Sequence, residues 1–287
     1  MYLRSMSFDS RLPTSQAPGS SVVSREPFIV LVRHIALALA LVRRDVESRY
    51  RGSLGGCLWI LLTPLLLLGV YATVFGLILR AKWARTDTAA EFALVLYVGL
   101  LMFGVLQDCL SRAATSISSQ PNLVRKVVFP LEILSWVNVL GSLVTFSSGL
   151  VVWTVFCLAV KGSLSPTMLA LPLILFPVVM LALGVGWLFG ALGVYLRDLQ
   201  QTVGPISMAL LFLTPIFYDL SLVPAEYQWL FILNPLTFVV AQARAVMLEG
   251  LWPDVAGLAI ASAATYSFAW TALSFFHRAR GDFSDAL

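Results

Sequence analysis

The sequence predicts an all-α integral membrane protein. It has six transmembrane helices, an N-terminal interfacial amphipathic helix, and a re-entrant helical hairpin between spans five and six. Three observations carry this. The 287 residues are 59% hydrophobic and 12% charged, with a mean hydropathy of +0.88, values that fit a polytopic membrane protein and not a soluble domain. Long apolar runs recur, and about 20 such residues, each rising about 1.5 Å, cross a hydrocarbon core of about 30 Å. The basic residues fall mainly in the loops of one predicted side.

Residues 1–26 are rich in Ser, Pro and Arg without apolar periodicity. They read as a disordered cytoplasmic tail, and no apolar core of a secretory signal occurs within them. Residues 27–52 form the interfacial element. Phe28, Leu31, Ile35, Leu39, Val42 and Val46 follow helical spacing on one face, and Arg33, Arg44, Glu47 and Arg51 lie elsewhere on the wheel. That pattern fits a helix lying in the cytoplasmic interface. Were Phe28–Val42 to cross instead, the two termini would lie on opposite sides.

The six-span domain is placed at residues 53–278. Arg43, Arg44, Arg49 and Arg51 crowd the start of an uncharged stretch over 53–79, which puts that end in the cytoplasm. The second span runs from about Phe92 to Ile117. It carries Asp108 and Arg112 four residues apart, a spacing that pairs them on one helix face near the membrane edge. The third span covers Glu132 to about Val160, the fourth Thr167 to about Tyr195, and the fifth Gln200 to about Phe217. In the fourth, Gly186, Gly190 and Gly193 permit close helix approach. Between residues 218 and 253, two half-length helices broken at Asn234–Pro235 read as a re-entrant hairpin. Asp254–Phe276 is the sixth span, and residues 279–287 are a polar cytoplasmic tail.

With both termini inside, 14 of the 19 Lys and Arg residues fall on the cytoplasmic side and 5 (Arg80, Lys82, Arg85, Lys161 and Arg244) on the other. The cluster Arg80, Lys82 and Arg85 runs against that bias; it either snorkels to headgroups or faces an anionic substrate. Cys57, Cys109 and Cys157 sit in apolar runs, far apart and odd in number, so they read as small buried hydrophobes and not as a disulfide or metal framework. No nucleic-acid footprint of basic residues interleaved with aromatics appears.

No GxxxxGK loop followed by Ser or Thr occurs, nor HExxH or GxSxG; the chain carries no ATP site of that kind. A membrane glycosyltransferase needs acidic side chains for a metal and a nucleotide sugar, and the polar loops supply few. Of transporter, enzyme and channel, transporter fits best.

Five stretches, in order, carry a family resemblance: RYRGSLGGCLWILLTPLLLLGVYATVFGLILRAKW (49–83), SSQPNLVRKVVFPLEIL (118–134), LGVYLRDLQQ (192–201), LTPIFY (213–218) and NPLTFVVAQARAVML (234–248). Together they resemble the transmembrane permease subunit of polysaccharide ABC exporters of the O-antigen, teichoic acid and capsule type, over about residues 28–278. The resemblance implies a bacterial inner-membrane homodimer, moving a lipid-linked polysaccharide, paired with two copies of a separate cytoplasmic ATPase. The ATPase would bind ATP and Mg, leaving this chain without a cofactor, a metal or a catalytic residue of its own.

Residues 118–131 correspond in that family to the coupling helix that docks on the ATPase. Asn122, Leu123, Val124, Arg125, Lys126 and Phe129 suit a short rigid contact with two cations on an apolar ridge. Sugar rings stack on aromatic faces, so Tyr71, Phe75, Tyr97, Phe103, Phe217, Tyr218, Tyr227 and Trp229 are candidates for a glycan channel, although interfacial aromatics are common in any membrane protein. Arg44, Arg49 and Arg51 are candidates for contact with membrane lipid headgroups and for admitting the lipid-linked substrate.

Overall fold

The computed structural model describes residues 26–50, 56–78, 88–119, 129–196 and 198–283, and every regular element among them is helical. In chain order, α1 (Pro27–Arg33) and α2 (Ile35–Tyr50) are separated by a turn at His34. α3 (Trp59–Tyr71) runs on as a π-helical stretch to Ile78. α4 (Ala89–Ala113), α5 (Ile133–Lys161) and α6 (Leu171–Tyr195) are long. α7 (Leu199–Phe212), α8 (Gln228–Ile232) and α9 (Pro235–Arg244) are short, and α10 (Val255–Ala279) closes the bundle.

Among the described residues, four helical stretches are long and apolar enough to cross a membrane: Ala89–Ala113, Ile133–Lys161, Pro166–Tyr195 and Val255–Asp282. The pair Ala225–Ile232 and Pro235–Glu249, bent by 91°, makes a fifth if it is one broken span. The expected first span appears as the shorter apolar helix Trp59–Val74, with Pro64 inside it, and the expected fifth as the 14-residue α7 with Pro205 inside.

α4 is the axis of the bundle. It packs against α5, α6 and α9, and most of its length is buried. Its start is fixed locally by Thr88 and Glu91. The Thr88 hydroxyl accepts from the Glu91 N–H at 3.2 Å, and the Glu91 carboxylate accepts from the Thr88 N–H at 3.4 Å, a reciprocal cap that satisfies two otherwise orphaned donors. The glycines of α6 act as the sequence reading anticipates. A Cβ at Gly186 would sit 3.0 Å from the Ser135 side chain, one at Gly184 would lie 2.5 Å from the Phe268 ring, and one at Gly193 would strike the Ala114 carbonyl. Among the described residues, the most extensive helix contact is that of α6 with α10.

Ala38 and Val42 of α2 are buried, whereas Ile35 and Leu39 are exposed. α2 packs against α5, and the small Ala38 permits the approach. Asp45 and Arg49 share the inward face because they meet charges on α4 there.

α7 ends at Phe212, just before Thr214–Pro215, where the residue preceding proline disfavours helix. The carbonyls freed by that break are taken by residues of the bent helix pair. The Asn234 amide donates to the Leu213 carbonyl at 3.3 Å and to the Thr214 hydroxyl at 2.9 Å. Arg244 donates to the carbonyls of Pro215 and Ile216, both at 2.8 Å, and to that of Val95 at 3.2 Å. A segment leaving its helix inside a packed protein must satisfy its carbonyls this way.

The described part of the C-terminal tail does not leave the bundle. Arg280–Asp282 forms a 3-10 turn, and Phe283 is completely buried against Tyr195 and Phe276.

Candidate functional site

A cleft of about 400 Å³ opens between α3 and the paired helices α4 and α5. Its floor is a line of α4 residues at helical spacing, among them Tyr97, Leu101, Gly104, Gln107, Asp108 and Ser111. Residues three and four apart share one helix face, and along it the lining passes from apolar Leu100, Leu101 and Val105 to polar Gln107, Asp108 and Ser111 at one end. α5 adds Ser142, Thr145 and Gly149, and α3 adds Thr63, Pro64 and Tyr71. Gly149 is required by the packing, because a Cβ there would lie 2.6 Å from Leu101 and 3.1 Å from the Tyr97 hydroxyl. Hydroxyls, an amide and aromatic faces in one groove suit a polyhydroxylated chain: the polar groups trade hydrogen bonds with sugar hydroxyls, and the rings stack on apolar sugar faces.

The candidate aromatics separate into groups. Tyr71 and Tyr97 line the cleft. Phe217 continues it, with its ring 6.5 Å from Tyr71 and 6.3 Å from Phe212. Tyr218 meets Phe231 edge-on at 6.1 Å, and its hydroxyl donates to the Phe212 carbonyl. Phe103 is sealed in the core away from the cleft. Tyr227 and Trp229 stand exposed on the first member of the bent helix pair, Ala225–Ile232. The side chain of Phe75 lies outside the described residues. Gln107, Ser111 and Thr145 are cleft residues that the aromatic criterion passed over; the 3–4 spacing of polar residues along α4 is the signal that could have found them.

An ion network closes one end of the cleft. Arg112 lies 3.0 Å from Asp45 and 3.5 Å from Asp108, and Arg49 lies 2.5 Å from Asp45 and 3.6 Å from Asp108. Two guanidiniums and two carboxylates thus alternate in a neutral ring joining α2 to α4. Arg112 also donates to the Asn138 carbonyl of α5 at 3.1 Å. Gly141 makes room for the ring, since its Cβ would lie 2.8 Å from the Arg49 guanidinium. The expected Asp108–Arg112 pair is therefore present, with two further members from α2.

Arg49, a headgroup candidate, is a member of this ring. Arg44 is exposed and borders a second cleft of about 310 Å³, together with Ser48, Thr115, Ser116 and Asn138. Arg51 lies outside the described residues, as do Arg80, Lys82 and Arg85.

Of the coupling candidates, Asn122, Leu123, Val124, Arg125 and Lys126 lie outside the described residues. Phe129 is partly buried against the core, and its carbonyl accepts from Arg280 at 3.0 Å. Among the described residues no group of three or more His, Cys, Asp or Glu side chains is placed to hold a metal ion.

Comparison with known proteins identifies the family. Residues 36–248 match the family described as ABC-2 type transporter. The O-antigen export system permease protein RfbA of Myxococcus xanthus is 30% identical over 264 residues, which are 90% of this chain and 97% of that protein. The protein of the same description from Klebsiella pneumoniae is 24% identical over 217 residues, 75% of this chain and 81% of its own length. The polysialic acid transport protein KpsM of Escherichia coli is 24% identical over 212 residues, 74% and 81% of the two chains. The chain belongs to the ABC-2 transporter membrane family.

Proposed function

We propose that this chain is the transmembrane permease subunit of an ABC exporter that carries a lipid-linked, O-antigen-like polysaccharide from the cytoplasm across the bacterial inner membrane. The observation that carries the reading is the near end-to-end match to an O-antigen export permease, joined to a groove whose hydroxyl, amide and aromatic lining suits sugars. The chain has no phosphate loop. ATP and Mg are accordingly bound by two copies of a partner ATPase, which drives a homodimer of this subunit. Capsular polysaccharide is the second reading, favoured by the match to the polysialic acid transporter.

In this reading α3 and α7 complete six spans, with the helical run 56–78 supplying the first. Charge bias places both termini in the cytoplasm. α1 and α2 lie along the cytoplasmic interface, their exposed Phe28, Ile35 and Leu39 facing lipid. The bent pair of helices at Asn234–Pro235 is a re-entrant hairpin at the outer face. Residues 118–131 dock on the ATPase, and Arg44 meets the headgroup of the lipid-linked substrate.

Deleting the gene is expected to abolish surface glycan and to leave lipid-linked glycan on the cytoplasmic face. Surface glycan that persists after deletion overturns the reading. The chemistry of the accumulated lipid separates O-antigen from capsule, and sugar transfer by the purified protein without an ATPase would establish a glycosyltransferase instead.

A further inference from the structure

We propose that the C-terminal turn Arg280–Phe283 is a clasp that fastens the exit of the 118–131 segment to α6 and α10, so that a push on the segment moves those two helices as one body. The proposal rests on reading 118–131 as the ATPase-docking segment.

Glu132 is the node. It is the last residue before α5, and its carboxylate lies 2.9 Å from the Arg280 guanidinium. Its carbonyl accepts from the Trp187 indole of α6 at 2.9 Å, and Trp187 is completely buried. One residue thus holds α5, α6 and the end of α10 together. Arg280 uses its second terminal nitrogen on the Phe129 carbonyl, at 3.0 Å. A planar guanidinium serves both acceptors at fixed angles, which a lysine ammonium cannot do.

The turn is itself held down. The Tyr195 hydroxyl at the end of α6 donates to the Ala279 carbonyl at 3.0 Å. Phe283 then plugs the junction of α6 and α10, edge-on to Phe276 at 5.5 Å and to Tyr195 at 6.1 Å. The Glu132 side chain is 12% exposed and that of Arg280 31%, so the carboxylate sits inside the junction while the guanidinium reaches it from the edge. Among the described residues, α6 and α10 share the broadest helix contact. Force delivered at Phe129–Glu132 therefore reaches a pair of spans that cannot slide apart. Arg280 and Glu132 are positioning residues: they touch neither glycan nor nucleotide.

The test uses the complete permease–ATPase complex in lipid vesicles, with Arg280→Ala, Glu132→Gln and the exchange Glu132→Arg with Arg280→Glu. Arg278→Ala, an exposed neighbour, is the control. Arg280→Ala and Glu132→Gln are expected to retain ATPase binding and basal hydrolysis within about twofold. They should lose fivefold or more of the hydrolysis stimulated by lipid-linked glycan and of export. The exchange restores the ion pair but not the bond to the Phe129 carbonyl, so it should recover only part of both, and the control should match wild type. Glu132→Gln keeps a hydrogen bond to Arg280 and reports on coupling even if Arg280→Ala does not fold. Unchanged stimulation in Glu132→Gln, loss of ATPase binding in both single variants, or failure of the exchange to recover activity overturns the clasp. A wild-type complex with no glycan-stimulated hydrolysis overturns the proposed function, and the clasp's role with it.

Discussion

Arg112 of α4 and Asp45 of α2 meet at 3.0 Å across 67 residues of sequence. With Asp108 and Arg49 they form a ring that locks the N-terminal helix to the bundle at one end of the polar cleft. The four side chains are about a quarter to a third exposed, so solvent screens them and each contact contributes about 1 kcal/mol or less. Removing one arginine, however, leaves two carboxylates to share the other.

Arg112→Gln is therefore expected to lower the thermal midpoint of the purified protein by a few degrees and to reduce export. The exposed pair Arg43–Glu47 on the same helix serves as control, and Arg43→Ala should change neither. Equal effects of the two substitutions would show that the ring does not hold α2.

Gly104 and Gly193 are expected to respond oppositely to enlargement. A Cβ at Gly104 meets nothing within 4 Å and points into open cleft space, whereas one at Gly193 strikes the Ala114 backbone. Gly193→Ala should destabilise by about 1–3 kcal/mol, because backbone cannot move aside as a side chain can. Gly104→Leu should leave the thermal midpoint unchanged and block export by filling the groove. Normal export by a well-folded Gly104→Leu protein would remove the cleft from the glycan path.

Arg244 is 8% exposed and serves three carbonyls of the break after α7 and of α4. Arg244→Met leaves those acceptors buried without this donor, at roughly 1–3 kcal/mol for an unsatisfied group. Hydrogen exchange across residues 213–218 should accelerate tenfold or more, with smaller change in the middle of α4. Arg244→Lys should recover little, since an ammonium cannot fork between Pro215 and Ile216.

The proposed docking role of residues 118–131 gives a further contrast. Val124→Ser with Phe129→Ser is expected to uncouple ATP hydrolysis from export. Arg125→Ala with Lys126→Ala should only weaken it, since exposed charges change an interaction by about 0–1 kcal/mol and a buried aromatic anchor by about 2 kcal/mol or more. Substrate-stimulated hydrolysis and surface glycan report both. Normal export by the Val124/Phe129 variant with the partner bound would place coupling elsewhere.

The sequence by itself determined the helical class, the apolar helices and most of their ends, because those depend on local composition. The Thr88–Glu91 cap, the break at Asn234–Pro235 and the α6 glycines are legible within a few residues of chain. So is the pairing of Asp108 with Arg112, one helical turn apart. Tertiary structure decided what depends on partners distant in sequence. The apolar wheel of residues 28–46 did not reveal that α2 turns Ala38, Asp45 and Arg49 inward, since the charges that Asp45 and Arg49 meet sit on α4. Nor did aromatic character separate Tyr97 in the cleft from Phe103 in the core, six residues along the same helix. The tail looked polar, yet Phe283 is buried, because an isolated aromatic in a charged stretch gains a place only when Tyr195 and Phe276 are brought beside it by the packing of α6 on α10.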